Sequence, residues 1–242
     1  MGLVLVTAED PQAYNRLARH FDVRTLPRLL RQYLPAGPLA LADIGCGDGP
    51  FFSILQRFGY VSALRPVYAV DLQEERLRRV AARFPFVTTV VAPAHSVPSI
   101  PDGALDFVIS TMVMEHVPDE ESYLDEMRRV LKPGGRIYLT TVFKRSWAWY
   151  PRRREGRPVL DVSHRREYTD LDAFRELLIR GCRFASLEAL GIDSLWFPLV
   201  DPILFLAARR GLTSASARAI HLARLVKVPV PGYYTLSAVL RA

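Results

Sequence analysis

With 242 residues, half apolar and a quarter charged, the chain suits one globular domain with a substantial core and is neither disordered nor collagen-like in composition. Its two cysteines, Cys46 and Cys182, lie far apart without metal-ligand spacing, which favours a reduced, cytosolic setting with no bound metal. The net charge of +7 admits nucleic acid, anionic lipid or an acidic substrate without choosing among them.

The opening MGLVLVTAED has too short an apolar stretch for a signal peptide, and no apolar run is long enough to span a bilayer, so the protein is expected to be soluble or peripheral. Residues 10–34 carry Tyr14, Leu17, Phe21, Leu26, Leu29, Leu30 and Tyr33 at helical spacing, with Pro11 near the start. A continuous apolar run over 39–44 ends at Gly45 and reads as a strand buried on both faces. Pro50 suits the first turn of a helix, which Phe51, Phe52, Ile54 and Leu55 then open. Strands are expected over 67–72, 87–92, 105–110 and 136–143. Helices are expected over 74–84 and 122–131, the second halted by Pro133 and Gly134. A further helix over 170–180 closes at Gly181, and strands over 184–190 and 233–240 complete the set of seven. Strands alternating with helices require crossover connections, so the fold class is α/β, a mostly parallel sheet with helices on both faces. Ligands of such sheets bind at the carboxyl ends of the strands.

The first of those ends carries Asp43-Ile44-Gly45-Cys46-Gly47-Asp48-Gly49. Glycines at alternate positions let the backbone turn tightly and approach a ligand, and their amides with those of the next helix form a donor-lined concavity. A plain strand-to-helix turn is the simpler explanation of the loop alone, and the spacing differs from the dinucleotide fingerprint G-x-G-x-x-G. The second strand ends at Asp71, placed to accept hydrogen bonds from both hydroxyls of a ribose, or to cap the following helix. Together the pair points to an adenosine-containing ligand.

The run Asp43–Gly49 resembles motif I of the class I S-adenosylmethionine-dependent methyltransferases, and Asp71 resembles their ribose-binding acid. Leu105-Asp106-Phe107-Val108-Ile109-Ser110 is similar to their fourth strand, Met114-Glu115-His116-Val117 to the segment after it, and Lys132-Pro133-Gly134-Gly135 to the turn before strand five. The broad family that includes the ubiquinone and menaquinone C-methyltransferases is the nearest in pattern. The match is strong over about residues 40–143 and weaker over 164–190. This resemblance implies a Rossmann-like seven-stranded sheet, a single methyltransferase domain over 1–242, and S-adenosylmethionine as cofactor. It implies cofactor contacts from Asp43, Gly45, Cys46, Gly47, Gly49, Asp71, Leu72, Ala94, His95, Ser110, Thr111 and Met112. The family's acid followed by a small residue is replaced here by Pro93-Ala94-His95, so adenine recognition falls to the Ala94 or His95 backbone or to the His95 side chain.

An oxygen or acidic-carbon acceptor needs a base, and His116, just past strand four, is the candidate, although packing beside the cofactor explains it equally. His164 and Tyr168 resemble a segment that closes over substrate in some relatives, or are a surface loop. Residues 1–36 are expected as an N-terminal helical lid, with Tyr14 and Phe21 either over the cofactor or in the core. Residues 194–230, with Leu195-Trp196-Phe197 and Ile203-Leu204-Phe205-Leu206 followed by Arg209 and Arg210, are expected as an apolar helical insertion between strands six and seven. It either caps a substrate crevice or lies on an anionic membrane surface. Lys144, Arg145, Arg152, Arg153, Arg154, Arg157, Arg165 and Arg166 crowd one stretch, a solvated loop or a phosphate- or lipid-facing patch. Trp147, Trp149 and Tyr150 beside it favour a small lipophilic or aromatic acceptor.

Three other readings compete. A nicotinamide-dependent oxidoreductase leaves Glu115-His116 and the KPGG turn unexplained. An RNA methyltransferase lacks an appended RNA-binding module and an Asn-Pro-Pro-Tyr-like tetrapeptide. A non-catalytic module would keep the fold and act through partners.

Overall fold

The structure, a computed structural model, describes residues 23–150, 152–181, 184–198 and 226–242. Tyr14, Phe21, Cys182, most of the expected lid and residues 199–225 of the expected insertion lie outside the described residues.

In chain order the elements are α1 (Arg28–Tyr33), β1 (Leu41–Ile44), α2 (Phe52–Arg57), β2 (Val67–Asp71), α3 (Glu74–Arg83), β3 (Thr88–Val91), β4 (Leu105–Thr111), α4 (Glu120–Val130), β5 (Leu131–Lys144), β6 (Arg153–Arg154), β7 (Arg157–Pro158), α5 (Leu171–Glu176) with a π-turn over Leu177–Gly181, β8 (Ser186–Pro198) and β9 (Lys227–Arg241). Seven strands form one sheet in the order β3-β2-β1-β4-β5-β9-β8. The β1–β2, β1–β4, β2–β3 and β4–β5 pairs are parallel. The start of β5 bonds to the residue just beyond β9, Gly134 to Ala242 at 2.9 Å, and Ala185 before β8 bonds to Arg241 at 2.8 Å, so β9 runs antiparallel to both neighbours. The seven-stranded, mostly parallel α/β sheet expected from the sequence is what the chain forms.

The chain divides into two compact units. The described part of the larger covers residues 23–143, 165–181, 184–193 and 235–242. Its core gathers Leu30, Leu41, Phe52, Leu55, Leu77, Val80, Phe84, Phe107 and Ile109, with the Phe52 and Phe84 rings 5.6 Å apart. All four residues of β1 are buried, which explains why every one of them but Asp43 is apolar. The α4 helix starts where Asp119 accepts from the Ser122 amide at 3.0 Å, and α5 where Asp170 accepts from the Asp172 and Ala173 amides at 2.9 and 3.0 Å. At the KPGG turn the β4–β5 register jumps from Leu105↔Leu131 to Phe107↔Arg136, a bulge that absorbs Lys132–Gly135.

The described part of the smaller unit covers residues 144–150, 152–164, 194–198 and 226–234. Tyr150 packs edge-on to Phe197 at 5.9 Å and to Tyr233 at 6.4 Å, and the Tyr233 hydroxyl donates to the Pro158 carbonyl at 3.2 Å. Arg153, Arg154 and Arg157 of the basic stretch lie in a β6–β7 hairpin. Its two-residue turn, Glu155-Gly156, takes φ of +51° and +78°, the conformation that fits the twist of paired strands.

One expectation is corrected at its ends. Residues 194–198 continue β8 and residues 227–230 open β9, so these parts of the expected helical insertion are strand. Burial there alternates along the chain, with Leu195 buried and Trp196 exposed, and with Pro229 exposed and Val230 buried. Period two is the signature of a half-covered strand, and the proline-rich VPVP run cannot donate the amides a helix needs. Among the described residues, no helix is long and apolar enough to cross a membrane.

Candidate active site

The site is built in the larger unit, where β1 and β2 end side by side. Gly45, Gly47 and Gly49 all take positive φ, at 77°, 55° and 68°. Gly45 has a second reason to be glycine: a Cβ there would stand 2.2 Å from Val113 Cγ2, so the loop after β4 closes directly onto its backbone. The Gly45 and Cys46 amides both donate to the Val70 carbonyl, at 2.7 and 2.9 Å. Asp48 is held by Arg79 of α3, whose guanidinium reaches its carboxylate at 2.6 Å. Both clamps are long-range and left no mark in the local sequence pattern.

Asp71, half-buried, accepts from the Gly47 amide at 2.8 Å and from the Gln73 amide at 2.9 Å. Each carboxylate oxygen has two lone pairs, so this pinning leaves acceptor capacity for a diol. Next to it Leu72 is 69% exposed, and Val91, its neighbour at the end of β3, is 58% exposed. Both are bare apolar side chains near the Asp71 carboxylate, Val91 as its register partner. Val91 went unremarked in the sequence, since nothing local marks it as more than one residue of a strand. Ala94 and His95, both half-buried, sit in the turn that follows, closed by the Ser96 amide to the Pro93 carbonyl at 3.0 Å.

Asp43, at 1% exposure, is buried in β1, and its Oδ2 has no hydrogen-bond partner. Burial, then repulsion from Asp71, raises its carboxyl to about 8. Cys46 is buried, and that burial together with Asp43 and Asp71 keeps it a neutral thiol, which donates to the Gly47 carbonyl at 3.5 Å. It packs as a small hydrophobe.

From β4, the Ser110 hydroxyl donates to the Ile44 carbonyl at 2.7 Å and ties β4 to β1. Thr111 ends the strand half-buried, and Met112 takes φ +56° with its amide given to the Thr140 carbonyl at 2.9 Å. This left-handed residue turns the chain into the segment that holds Val113, Glu115 and His116. Glu115 is fully buried and accepts from the Thr141 hydroxyl at 2.8 Å. His116 is exposed, with its amide bonded to the Val113 carbonyl at 2.9 Å.

Arg166 fastens this segment from below, donating to the Met114, Val117 and Pro118 carbonyls at 3.1, 2.7 and 2.9 Å and pairing with Glu120 at 3.4 Å. Tyr168 packs on Phe174 at 4.7 Å and gives its hydroxyl to Glu120. Burial and the Glu120 charge push its phenol up, so it stays protonated and acts as a donor. His164 belongs to the smaller unit, where it is buried and its amide bonds to the Asp161 carbonyl at 3.2 Å. The larger unit therefore brings together Asp43, the glycines, Asp71, Leu72 and the β4 segment with His116 and Tyr168.

A mostly parallel sheet with a glycine loop over its first strand and an acid ending its second is a Rossmann-like α/β fold. Residues 42–139 match a family described as a methyltransferase domain. Over 107 residues, 43% of this chain and 43% of the relative, the sequence is 31% identical to thiol S-methyltransferase TMT1A of Homo sapiens. Over 106 residues, 41% of each, it is 32% identical to the ubiquinone biosynthesis O-methyltransferase of Xanthomonas oryzae pv. oryzae. The chain thus spans less than half the length of these curated relatives. The solved structure of an S-adenosylmethionine-dependent methyltransferase from Mesorhizobium loti shares the fold, with a TM-score of 0.56 over 88% of this chain and 96% of that one at 24% identity. Over residues 42–139, less than half of the chain, the sequence is thus similar to S-adenosylmethionine-dependent methyltransferases, and the chain shares their fold.

The residues present fit that cofactor. Asp43 has a buried oxygen to give, Asp71 has acceptor capacity left, and the backbone cradle at Gly45 would be filled by any Cβ.

Proposed function

We propose that the protein transfers a methyl group from S-adenosylmethionine to a small, lipophilic or aromatic acceptor, at oxygen or carbon. The observation that carries this reading is the Asp71 carboxylate bonded to the Gly47 amide at the mouth of the glycine loop, an acid and a cradle preorganised as one piece. Bound there, S-adenosylmethionine supplies a methyl group already activated on a sulfonium centre.

The remaining work falls to the chain. Asp71 takes the ribose hydroxyls, Leu72 and Val91 support the adenine, and Ala94 and His95 meet its edge in place of the usual acid. Thr111 and Met112 shape the far wall of the cofactor site. Holding the acceptor in line with the methyl group can supply about 7–11 kcal/mol of the barrier. His116 takes the proton from the acceptor oxygen or carbon onto its imidazole, and Tyr168 contributes to the substrate side. Lipophilic acceptors are supported by the exposed Trp147, Trp149 and Trp196 of the smaller unit. The same tryptophans, with exposed Arg153, Arg154 and Arg157, support a peripheral contact with anionic membrane.

Calorimetric titration with S-adenosylhomocysteine, with NADH alongside, tests the cofactor. Micromolar binding of the first alone supports the proposal, and binding of NADH alone replaces it with a nicotinamide oxidoreductase. Transfer of labelled methyl from S-adenosylmethionine to phenolic, quinol, thiol and RNA acceptors then reads the acceptor class. Labelled RNA would overturn the small-molecule acceptor, and binding without turnover on any acceptor would favour a non-catalytic module.

A further inference from the structure

Asp43 stands apart from the other acids of the site. Its side chain is almost wholly buried at the carboxyl end of β1, its Oδ2 meets no hydrogen-bond donor, and it lies within the field of a second carboxylate, Asp71 of β2. Its register partners across the sheet, Ala69 of β2 and Ile109 of β4, carry no charge. The Cys46 thiol comes from the loop, and Arg76 of α3 bears on that thiol. An ionised carboxylate in such a place needs a cation, and the described residues pair none with it.

We propose that Asp43 reads the charge of the cofactor: it is protonated in the ligand-free protein and ionises when the cationic end of S-adenosylmethionine is bound, so that binding releases a proton. This rests on the cofactor reading above. The carboxyl O–H bond breaks, its electron pair stays on the oxygen, and the proton goes to water. One positive charge enters the site as one leaves it, and Asp43 and Asp71 are then both ionised with a cation beside them.

The demethylated product lacks the sulfonium and displaces the proton less. Preference for S-adenosylmethionine over S-adenosylhomocysteine therefore rises with pH while Asp43 still carries its proton in the free protein, by up to about tenfold per unit, and levels off above. The ligand's own amino group is more acidic beside the sulfonium, so its share is taken from the titration of each free ligand and subtracted before the two are compared. Asp43 is then a specificity-determining residue for substrate cofactor against product.

The test is calorimetry of the full chain with each ligand between pH 6 and 9, in buffer pairs of different ionisation heat, for wild type and Asp43→Asn. The expected result is about one proton released with S-adenosylmethionine at pH 7, falling towards zero by pH 9, with fewer released by the product. Asp43→Asn should release equal numbers with both ligands and show a flat affinity ratio. Equal proton counts for the two ligands in wild type would overturn the proposal, a result that stands even if the variant does not fold. Retention of the difference in a folded Asp43→Asn protein would overturn it too. Binding without a proton difference leaves the cofactor reading intact, whereas no binding of either ligand brings down both.

Discussion

The Gly47 amide and the Asp71 carboxylate, 24 residues apart, are joined by a 2.8 Å hydrogen bond, and the same carboxylate receives the Gln73 amide through its other oxygen. One side chain thus holds the loop over β1 and starts the turn into α3. Removing it should be felt in binding more than in stability. For Asp71→Ala we expect S-adenosylhomocysteine affinity to fall at least tenfold, since each charge-assisted hydrogen bond lost costs about 1.5–3 kcal/mol. Asp71→Asn should also fail, because both protein partners are donors and an amide nitrogen would face one of them. Unchanged affinity in either folded variant would show that the acid does not meet the ligand.

Gly45→Ala should unsettle the loop directly. The new Cβ would sit 2.2 Å from Val113 Cγ2 in a residue with φ of +77°, so overpacking and backbone strain add. A loss of about 1–3 kcal/mol is expected in urea denaturation. Val113→Ala in the same chain should return part of it, leaving the share due to φ. Strict additivity of the two substitutions would mean that Val113 is not the obstacle.

Asp43 should print its ionisation on the stability curve of the ligand-free protein. Its carboxyl is raised to about 8, by burial first and Asp71 second. A proton held more tightly folded than unfolded stabilises fully below the ordinary carboxylate range, and that contribution is lost as pH rises through about 8. Relative to Asp43→Asn, wild type should weaken between pH 6 and 9, by at most about 1.4 kcal/mol per unit. Parallel curves for the two proteins would assign the titration to another group.

His116→Asn separates a base from a packing residue. With a phenolic acceptor at pH 7, turnover should drop by about 10²-fold or more while cofactor affinity holds. The defect should shrink as pH approaches the phenol's own ionisation, near 10. A small, pH-independent loss would give His116 a packing role only.

Trp147→Ser with Trp149→Ser should abolish co-sedimentation with phosphatidylserine vesicles while leaving neutral vesicles, and S-adenosylhomocysteine binding, as they were. Equal sedimentation of variant and wild type would remove these side chains from any membrane contact.

Much of this was written locally in the chain. The buried run before Gly45, the alternating glycines and Asp71 at the end of β2 all report on their own element, so spacing alone found them. The caps at Asp119 and Asp170 could be read the same way. What escaped was of two kinds. Val113 against Gly45, Arg79 on Asp48 and Arg166 under the His116 segment join positions 31–68 residues apart, and no local pattern encodes such pairs. The strands β8 and β9 ran longer than expected because Leu195-Trp196-Phe197 is apolar enough to suggest a helix, while only alternating burial reveals period two. In the arginine-rich stretch, Glu155-Gly156 was a turn signal hidden by the surrounding charge.

The position of β9 has a bearing on how the molecule comes into being. It is the last strand in chain order, yet it lies between β5 and β8. A ribosome delivers β8 before β9, which among the described strands joins it to the rest of the sheet, so β8 and the flank of β5 wait with unsatisfied backbone groups until residues 227–241 emerge. During that interval the nascent chain offers two open edges to its neighbours, and chaperone demand should concentrate there.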